Sequence, residues 1–154
     1  MNAPLRPEPP DPRFAERCRA SFARQQAMAL IGARMRTIEP GRCEIELPFR
    51  ADLTQQKGYL HGGIVGMIAD TACGYAAFSL MPASASLVTV EYKINILAPG
   101  RGERLLARGE VVKPGRTLSI ARGEVYAEQG GAPTLCAVMQ QTLMMLPDTP
   151  DTPE

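Results

Sequence analysis

The sequence predicts an α+β protein in which an antiparallel sheet packs one face against a single central helix. Three observations favour this class. Residues 64–81 form the most apolar stretch of the chain, long enough for a buried helix. Other segments alternate apolar and polar residues with the period of a β-strand, residues 88–96 most clearly. The turns between the later strands are short, which favours antiparallel neighbours.

The length of 154 residues corresponds to one domain with short extensions. Residues 1–12 are rich in proline, which can neither continue a helix nor pair inside a sheet. Residues 147–154 have the same character. We therefore expect two flexible tails that flank a single domain over residues 13–146.

Three elements are predicted before the central helix. Asp11 and Pro12 provide a cap and a first turn for a helix that we expect to run to about Leu30. Two strands follow, over residues 31–38 and 42–49. The second alternates cleanly between apolar and charged side chains, as a strand with one buried face does.

The apolar stretch 64–81 raises the question of a membrane span. It contains Asp70, Thr71 and Ser79, and the chain has no second stretch like it. A helix buried within the protein is therefore the better interpretation.

Four strands are predicted after this helix, and each is bounded by a turn rich in proline or glycine. They cover residues 88–96, 104–113, 117–126 and 134–146. The predicted order is helix, two strands, buried helix, four strands.

Composition excludes several classes of function. The net charge of +1, from 17 basic and 16 acidic residues, gives no reason to expect nucleic acid or a membrane surface as a partner. The four cysteines form no Cys-x-x-Cys pair, which is typical of buried thiols in a reducing compartment. The N-terminus lacks the apolar core of a signal peptide, so we expect a cytoplasmic protein. With one histidine and no Cys/His cluster, we expect no metal and no cofactor.

A carboxylate in the apolar stretch is the first candidate catalytic group. Gly62 and Gly63 precede the helix, where unpaired backbone N–H groups and the helix dipole can polarise a carbonyl oxygen. Asp70 lies nearly two turns further on the same face, with Gly66 and Gly74 one turn to either side. An acid in such a place is a reasonable general base or nucleophile. Spacing alone leaves open a structural role, in which the glycines permit tight packing and Asp70 pairs with a neighbour.

Two segments carry a resemblance to a known family. Thr54-Gln55-Gln56-Lys57-Gly58-Tyr59-Leu60-His61-Gly62-Gly63, followed by Ala69-Asp70-Thr71-Ala72, resembles the signature of hotdog-fold thioesterases, and of their PaaI-like (phenylacetate-pathway) branch in particular. The strand from Leu87 to Pro99 resembles that family's third strand, and the likeness extends over residues 31–146. The resemblance implies a curved antiparallel sheet wrapped around one long helix. It also implies dimers joined edge to edge, with active sites at the subunit interface, so we expect a homodimer or a homotetramer.

The resemblance assigns roles to individual residues. It implies that Asp70 acts as base or nucleophile on an acyl-coenzyme A thioester and that the backbone N–H of Gly62 or Gly63 polarises the carbonyl. Gln55 stands where many relatives carry an asparagine that positions the attacking water. Thr89 matches a hydroxyl residue that often lies near the carboxylate of the opposing subunit.

His61, the one histidine, has two interpretations. It can be a hydrogen-bonding residue that holds the loop ahead of the helix, as single histidines commonly are. It can also form an acid/base pair for hydration of an enoyl thioester, as in hotdog dehydratases. Those enzymes carry a His-Phe-Pro signature that this chain lacks.

A basic turn is the candidate site for the phosphates of coenzyme A. Related thioesterases often hold these phosphates at a Gly-Arg position, which here implies Lys113, Arg116 and Thr117, while Arg122 is a second cation nearby. An exposed basic turn that is only solvated is the alternative.

The resulting function is acyl-coenzyme A hydrolysis. A non-catalytic acyl-coenzyme A-binding or sensing module on the same fold is the alternative.

Overall fold

The computed structural model describes residues 7–152, which contain three α-helices and six β-strands. The helices are α1 (Phe14–Ala23), α2 (Gln26–Ile31) and α3 (Gly62–Phe78). The strands are β1 (Arg34–Glu39), β2 (Arg42–Pro48), β3 (Ser86–Ile96), β4 (Arg104–Lys113), β5 (Leu118–Gln129) and β6 (Ala132–Leu146). All neighbouring strands are antiparallel, in the order β1-β2-β4-β5-β6-β3. The predicted α+β class, with one central helix on an antiparallel sheet, is confirmed.

Helix α3 packs closely on the middle of the sheet because small residues meet at the contact. Ala72 and Cys73 are fully buried on the helix, and Gly109 of β4 lies beneath them. A Cβ atom at Gly109 would lie 2.3 Å from the carbonyl carbon and oxygen of Ala72. Larger apolar side chains such as Ile45 and Leu105 fill the core to either side. Burial of each such side chain stabilises the fold by roughly 1.5–3 kcal/mol.

The N-terminal helix and the first strand differ from the prediction. The single helix predicted to run to Leu30 is two helices, because the extended backbone of Gln25 separates α1 from α2. Helix α2 continues to Ile31 and ends at Gly32, whose φ of 78° is left-handed. The first strand therefore begins at Arg34 and not at Ile31, because Ile31 belongs to the last turn of α2 and the left-handed Gly32 separates this helix from the strand.

Helix α3 ends three residues before the predicted Met81. Arg17 of α1 donates hydrogen bonds to the carbonyl oxygens of Phe78 and Met81, at 3.1 and 2.7 Å. The guanidinium therefore binds carbonyl groups at and just beyond the C-terminus of the helix, where that of Phe78 also accepts a hydrogen bond from the Met81 N–H. Among the helices of residues 7–152, none is long and apolar enough to cross a membrane.

Strand β3 lies at one end of the strand order and pairs on one side only, with β6. It is 11 residues long, and Val88, Val90, Tyr92 and Ile96 each expose between 42% and 54% of their surface. A long apolar edge of this kind is a template for pairing with another chain.

Parts of both predicted tails contact the domain. Asp11 is buried, and its carboxylate lies 3.0 Å from Arg17. Asp151 forms an ion pair with Arg24 at 2.8 Å. Residues 1–6 and 153–154 lie outside the described part of the chain, so the flexibility of the two tails stays a prediction.

Candidate active site

Asp70 lies in the middle of α3, half-buried, and two side chains from the edge of the sheet hold one of its oxygens. The Thr89 hydroxyl donates to Asp70 Oδ1 at 2.8 Å. The Gln141 amide donates to the same Oδ1 and, at 2.9 Å, to Thr89 Oγ1. Within residues 7–152 the other oxygen, Oδ2, has no hydrogen-bond partner. The carboxylate is therefore fixed through one oxygen, and the second oxygen is available to act on a ligand.

Thr89 contacts the carboxylate of its own chain. The position near the carboxylate of the opposing subunit, which the resemblance implied, stays a prediction. Within the chain, the contact follows from the register at the sheet edge, where Thr89 of β3 pairs with Leu143 of β6, two residues from Gln141. This register brings both polar side chains under the same turn of α3.

Gln141 is the residue that the sequence interpretation missed. It is only 1% exposed and lies on the inward face of β6, between the apolar residues Met139 and Leu143. A polar side chain at an apolar position of an alternating strand needs a partner, and that signal was available from the sequence. Gln141 Oε1 is buried and has no partner within the described residues.

His61 caps the N-terminus of α3. Its Nδ1 accepts a hydrogen bond from the Gly63 N–H at 2.9 Å, so this N–H is occupied. The Gly62 N–H lies in the first turn and has no acceptor within the helix. A Cβ atom at Gly62 would meet no atom within 4 Å, so the space in front of the helix is open. Of the two predicted donors, Gly62 is the one available to a ligand.

Gln55 and Gly62 line the same cavity, of about 340 Å³, together with Leu60 and Pro99. The side-chain oxygen of Gln55 accepts a hydrogen bond from the Lys57 N–H within its own loop. This contact holds the loop and leaves the amide NH₂ without a hydrogen-bond partner within the described residues. The position of Gln55 thus agrees with a role beside the helix terminus.

The predicted site residues form two separate groups within one chain. Asp70 lies eight residues after Gly62, which is about 12 Å along the axis of a helix. Asp70 and Thr89 line a different cavity, of about 480 Å³, and neither Gly62 nor Gln55 reaches it. A carbonyl bound at Gly62 is therefore out of reach of the carboxylate of the same chain.

The basic turn joins β4 to β5, and β6 lies between β5 and strand β3, which carries Thr89. Lys113, Arg116 and Thr117 are all exposed, and within the described residues neither cation has an ion-pair partner. Ser119, just after the turn, pairs with Leu143, which in turn pairs with Thr89. Two strand spacings place Ser119, two residues after the turn, about 10 Å from Thr89. Arg122 is bound to Glu124 and is not available in the same way.

The cysteines are buried and free, as the sequence predicts. Cys73 lies next to the site in sequence, and burial raises the pKa of its thiol to about 12, with a smaller contribution from the charge of Asp70. A thiol with so high a pKa is a poor nucleophile near neutral pH. Asp70 is therefore the better candidate for the reacting group.

Comparisons with known proteins identify the family of this chain. Residues 57–134, half of the chain, match the thioesterase superfamily. A crystal structure of a thioesterase family protein from Silicibacter pomeroyi is 52% identical, with a TM-score of 0.86, and the match covers 87% of this chain and 98% of that one. The medium/long-chain acyl-CoA thioesterase YigI of Escherichia coli is 26% identical in an alignment of 83 positions, and the match covers 46% of this chain and 54% of that protein.

The PaaI protein of the Escherichia coli phenylacetic acid degradation operon shares the fold, with a TM-score of 0.80 at 20% identity over 89% of this chain and 96% of that one. The fold and these matches define a hydrolase of the thioesterase class. The chain belongs to the thioesterase superfamily, and the hotdog fold predicted from its sequence is confirmed.

Proposed function

We propose that this protein hydrolyses acyl-coenzyme A thioesters. In this proposal Asp70 either activates a water molecule or attacks the thioester carbonyl itself. The observation that carries the proposal is the asymmetric environment of the carboxylate. Thr89 and Gln141 fix Oδ1, whereas Oδ2 is unpartnered beside a cavity of about 480 Å³. A module that only bound acyl-coenzyme A would have no need for a carboxylate held in this way.

Hydrolysis requires a hydrogen-bond donor that stabilises the negative charge developing on the carbonyl oxygen. Asp70 Oδ2 either removes a proton from water, which then attacks the carbonyl carbon, or attacks that carbon itself to form an anhydride that water cleaves. In both cases the C–S bond breaks, and the products are the free acid and coenzyme A. The open N–H of Gly62 stabilises the oxyanion.

Two copies of the chain complete the site. Because Gly62 and Asp70 of one chain are about 12 Å apart, a thioester polarised by one copy must be attacked from the other. The exposed apolar edge of β3, which carries Thr89, offers the surface for such pairing. We propose a homodimer as the minimal unit, in which Gly62 and Gln55 of one copy face Asp70 of the other.

The phosphates of coenzyme A are proposed to bind at the basic turn through Arg116, Lys113 and Thr117. The charges of Lys113 and Arg116 have no ion-pair partner within the described residues, and Ser119, two residues after the turn, lies about 10 Å from Thr89. Arg116→Ala should raise KM with little change in kcat, because a contact remote from the reacting carbon binds ground and transition states alike. The increase should disappear with an acyl-pantetheine substrate. An equal increase on both substrates would give Arg116 a structural role.

A substrate panel tests the proposal. Wild-type protein and the Asp70→Asn variant are assayed against short, medium, long and aryl acyl-coenzyme A esters, with release of the free thiol as the readout. At least one ester should be hydrolysed, and Asp70→Asn should lower kcat by at least about 100-fold with an unchanged thermal melt. Glu16→Gln, at an exposed carboxylate of α1 that lines neither of the two cavities, is the matched control and should retain full activity. Tight binding of an ester without hydrolysis would instead favour the binding module.

A further inference from the structure

The cavity beside Asp70 is larger than the reacting groups require. Its volume is about 480 Å³, within the range of pockets that enclose small-molecule ligands. It lies between α1, α3, the start of β3 and the C-terminal residues 150–152, and its lining includes Asp70, Gly74, Tyr75 and Phe78. A thioester positioned at Asp70 would therefore extend its acyl group into this space.

Gly74 is the residue that keeps the space open. It follows Asp70 by one helical turn and lies on the same face of α3. A Cβ atom built at Gly74 meets no atom within 4 Å, whereas one at Gly109 would collide with the helix backbone. Gly74 also has no left-handed φ. Neither close packing nor backbone conformation thus requires glycine here, although glycine inside a helix costs about 1 kcal/mol relative to alanine.

The far side of the cavity is rigid. Tyr75 and Phe78 are 5% and 3% exposed, and their rings meet edge to face with centroids 6.1 Å apart. The Tyr75 hydroxyl is hydrogen-bonded to the Ser21 hydroxyl at 2.9 Å, and this bond holds the Tyr75 ring in place against α1. An aromatic wall that is fixed in this way suits an acyl group of similar bulk.

We infer that Gly74 determines acyl specificity, by leaving room beside Asp70 for an acyl group with the bulk of a phenyl ring or a branched chain. The inference rests on the proposed function for the placement of the thioester. A side chain at position 74 would occupy the space without disturbing the fold. It would therefore convert the protein from one that prefers bulky acyl groups to one that prefers short ones.

The test compares Gly74→Ala and Gly74→Leu with wild-type protein on acetyl-coenzyme A and on an arylacetyl-coenzyme A. Gly74→Leu should lower kcat/KM for the aryl substrate by at least about 20-fold and change that for the acetyl substrate by less than about threefold. Gly74→Ala should lie between, and both variants should melt at or above the wild-type temperature. Gly66→Ala, whose Cβ makes only ordinary contacts at 3.9 and 4.0 Å, is the matched control and should leave the ratio of the two kcat/KM values unchanged.

Binding of thioether analogues, measured by calorimetry, separates this inference from the proposed function. If the aryl analogue binds wild-type protein and loses affinity selectively in Gly74→Leu, the inference holds even where no hydrolysis is seen, and only the enzymatic proposal fails. If both substrates or both analogues are affected equally by Gly74→Leu, the inference is overturned while hydrolysis stands. If wild-type protein neither binds nor hydrolyses the aryl compound, the inference is overturned as well.

Discussion

Gly62→Pro removes one hydrogen-bond donor from the proposed oxyanion site and leaves the helix in place. Proline is well tolerated at the first position of a helix, where its missing N–H has no partner to lose. It also requires an extended residue before it, and His61, with φ −59° and ψ 138°, is already in that region. Gly62 has no left-handed φ, and no atom lies within 4 Å of its Cβ position. The substitution therefore deletes a hydrogen-bond donor at a position where the added ring carbons have room and the backbone need not change.

Loss of one such donor lowers kcat by about 100- to 1000-fold in enzymes that stabilise an oxyanion, or roughly 3–4 kcal/mol. We expect an effect of this size in Gly62→Pro and less than about threefold in Gly62→Ala, which keeps the N–H. Steady-state kinetics on the best substrate of the panel, beside thermal melts of both variants, provide the measurement. Normal kcat in a folded Gly62→Pro variant, or equal losses in both variants, would refute the assignment of Gly62 as the donor.

Three further perturbations follow from the packing. Gln141→Met removes both N–H donors of a buried side chain, so kcat should fall by at least about 10-fold with little change in KM. The melting temperature should stay the same or rise, because the substitution also removes the buried Oε1, which has no partner within the described residues. An unchanged kcat would show that Gln141 does not position Asp70. Gly109→Ala should lower the free energy of unfolding, measured by urea titration, by about 2 kcal/mol or more, because the new Cβ would overlap the Ala72 carbonyl. An unchanged midpoint of the urea transition would contradict the close packing of α3 on β4. A thiol reagent should titrate none of the four buried cysteines in native protein near pH 8 and all four in denaturant; rapid reaction of native protein would show that the burial is wrong.

The sequence predicts the layout of the fold because its signals are local. Strand β4 has the predicted bounds, Arg104 to Lys113, since turn residues stand at both ends of an alternating segment. The split between α1 and α2 was not predictable in the same way. It depends on the extended backbone of Gln25, a residue with no strong preference for ending a helix.

The site was predictable in part. Asp70 and the glycines at the helix terminus stand out as a motif, but Gln141 is 71 residues from Asp70 in sequence and meets it only through the register of β3 on β6. The occupation of the Gly63 N–H by His61 is a matter of side-chain geometry that spacing does not determine. The separation of Gly62 from Asp70 along α3 was implicit in the sequence spacing. Its consequence, that one chain carries two incomplete half-sites, became clear only from the two separate cavities.

The central claim is that Asp70 of one copy acts on a thioester held by Gly62 of the other. Co-expression of Asp70→Asn and Gly62→Pro chains with different affinity tags allows the mixed dimer to be isolated by tandem purification. In that dimer one of the two sites combines an intact Asp70 with an intact Gly62, so we expect about half of the wild-type kcat, although each parent homodimer is nearly inactive. If the mixed dimer is as inactive as its parents, the two residues act within one chain, and the account of a shared site is wrong.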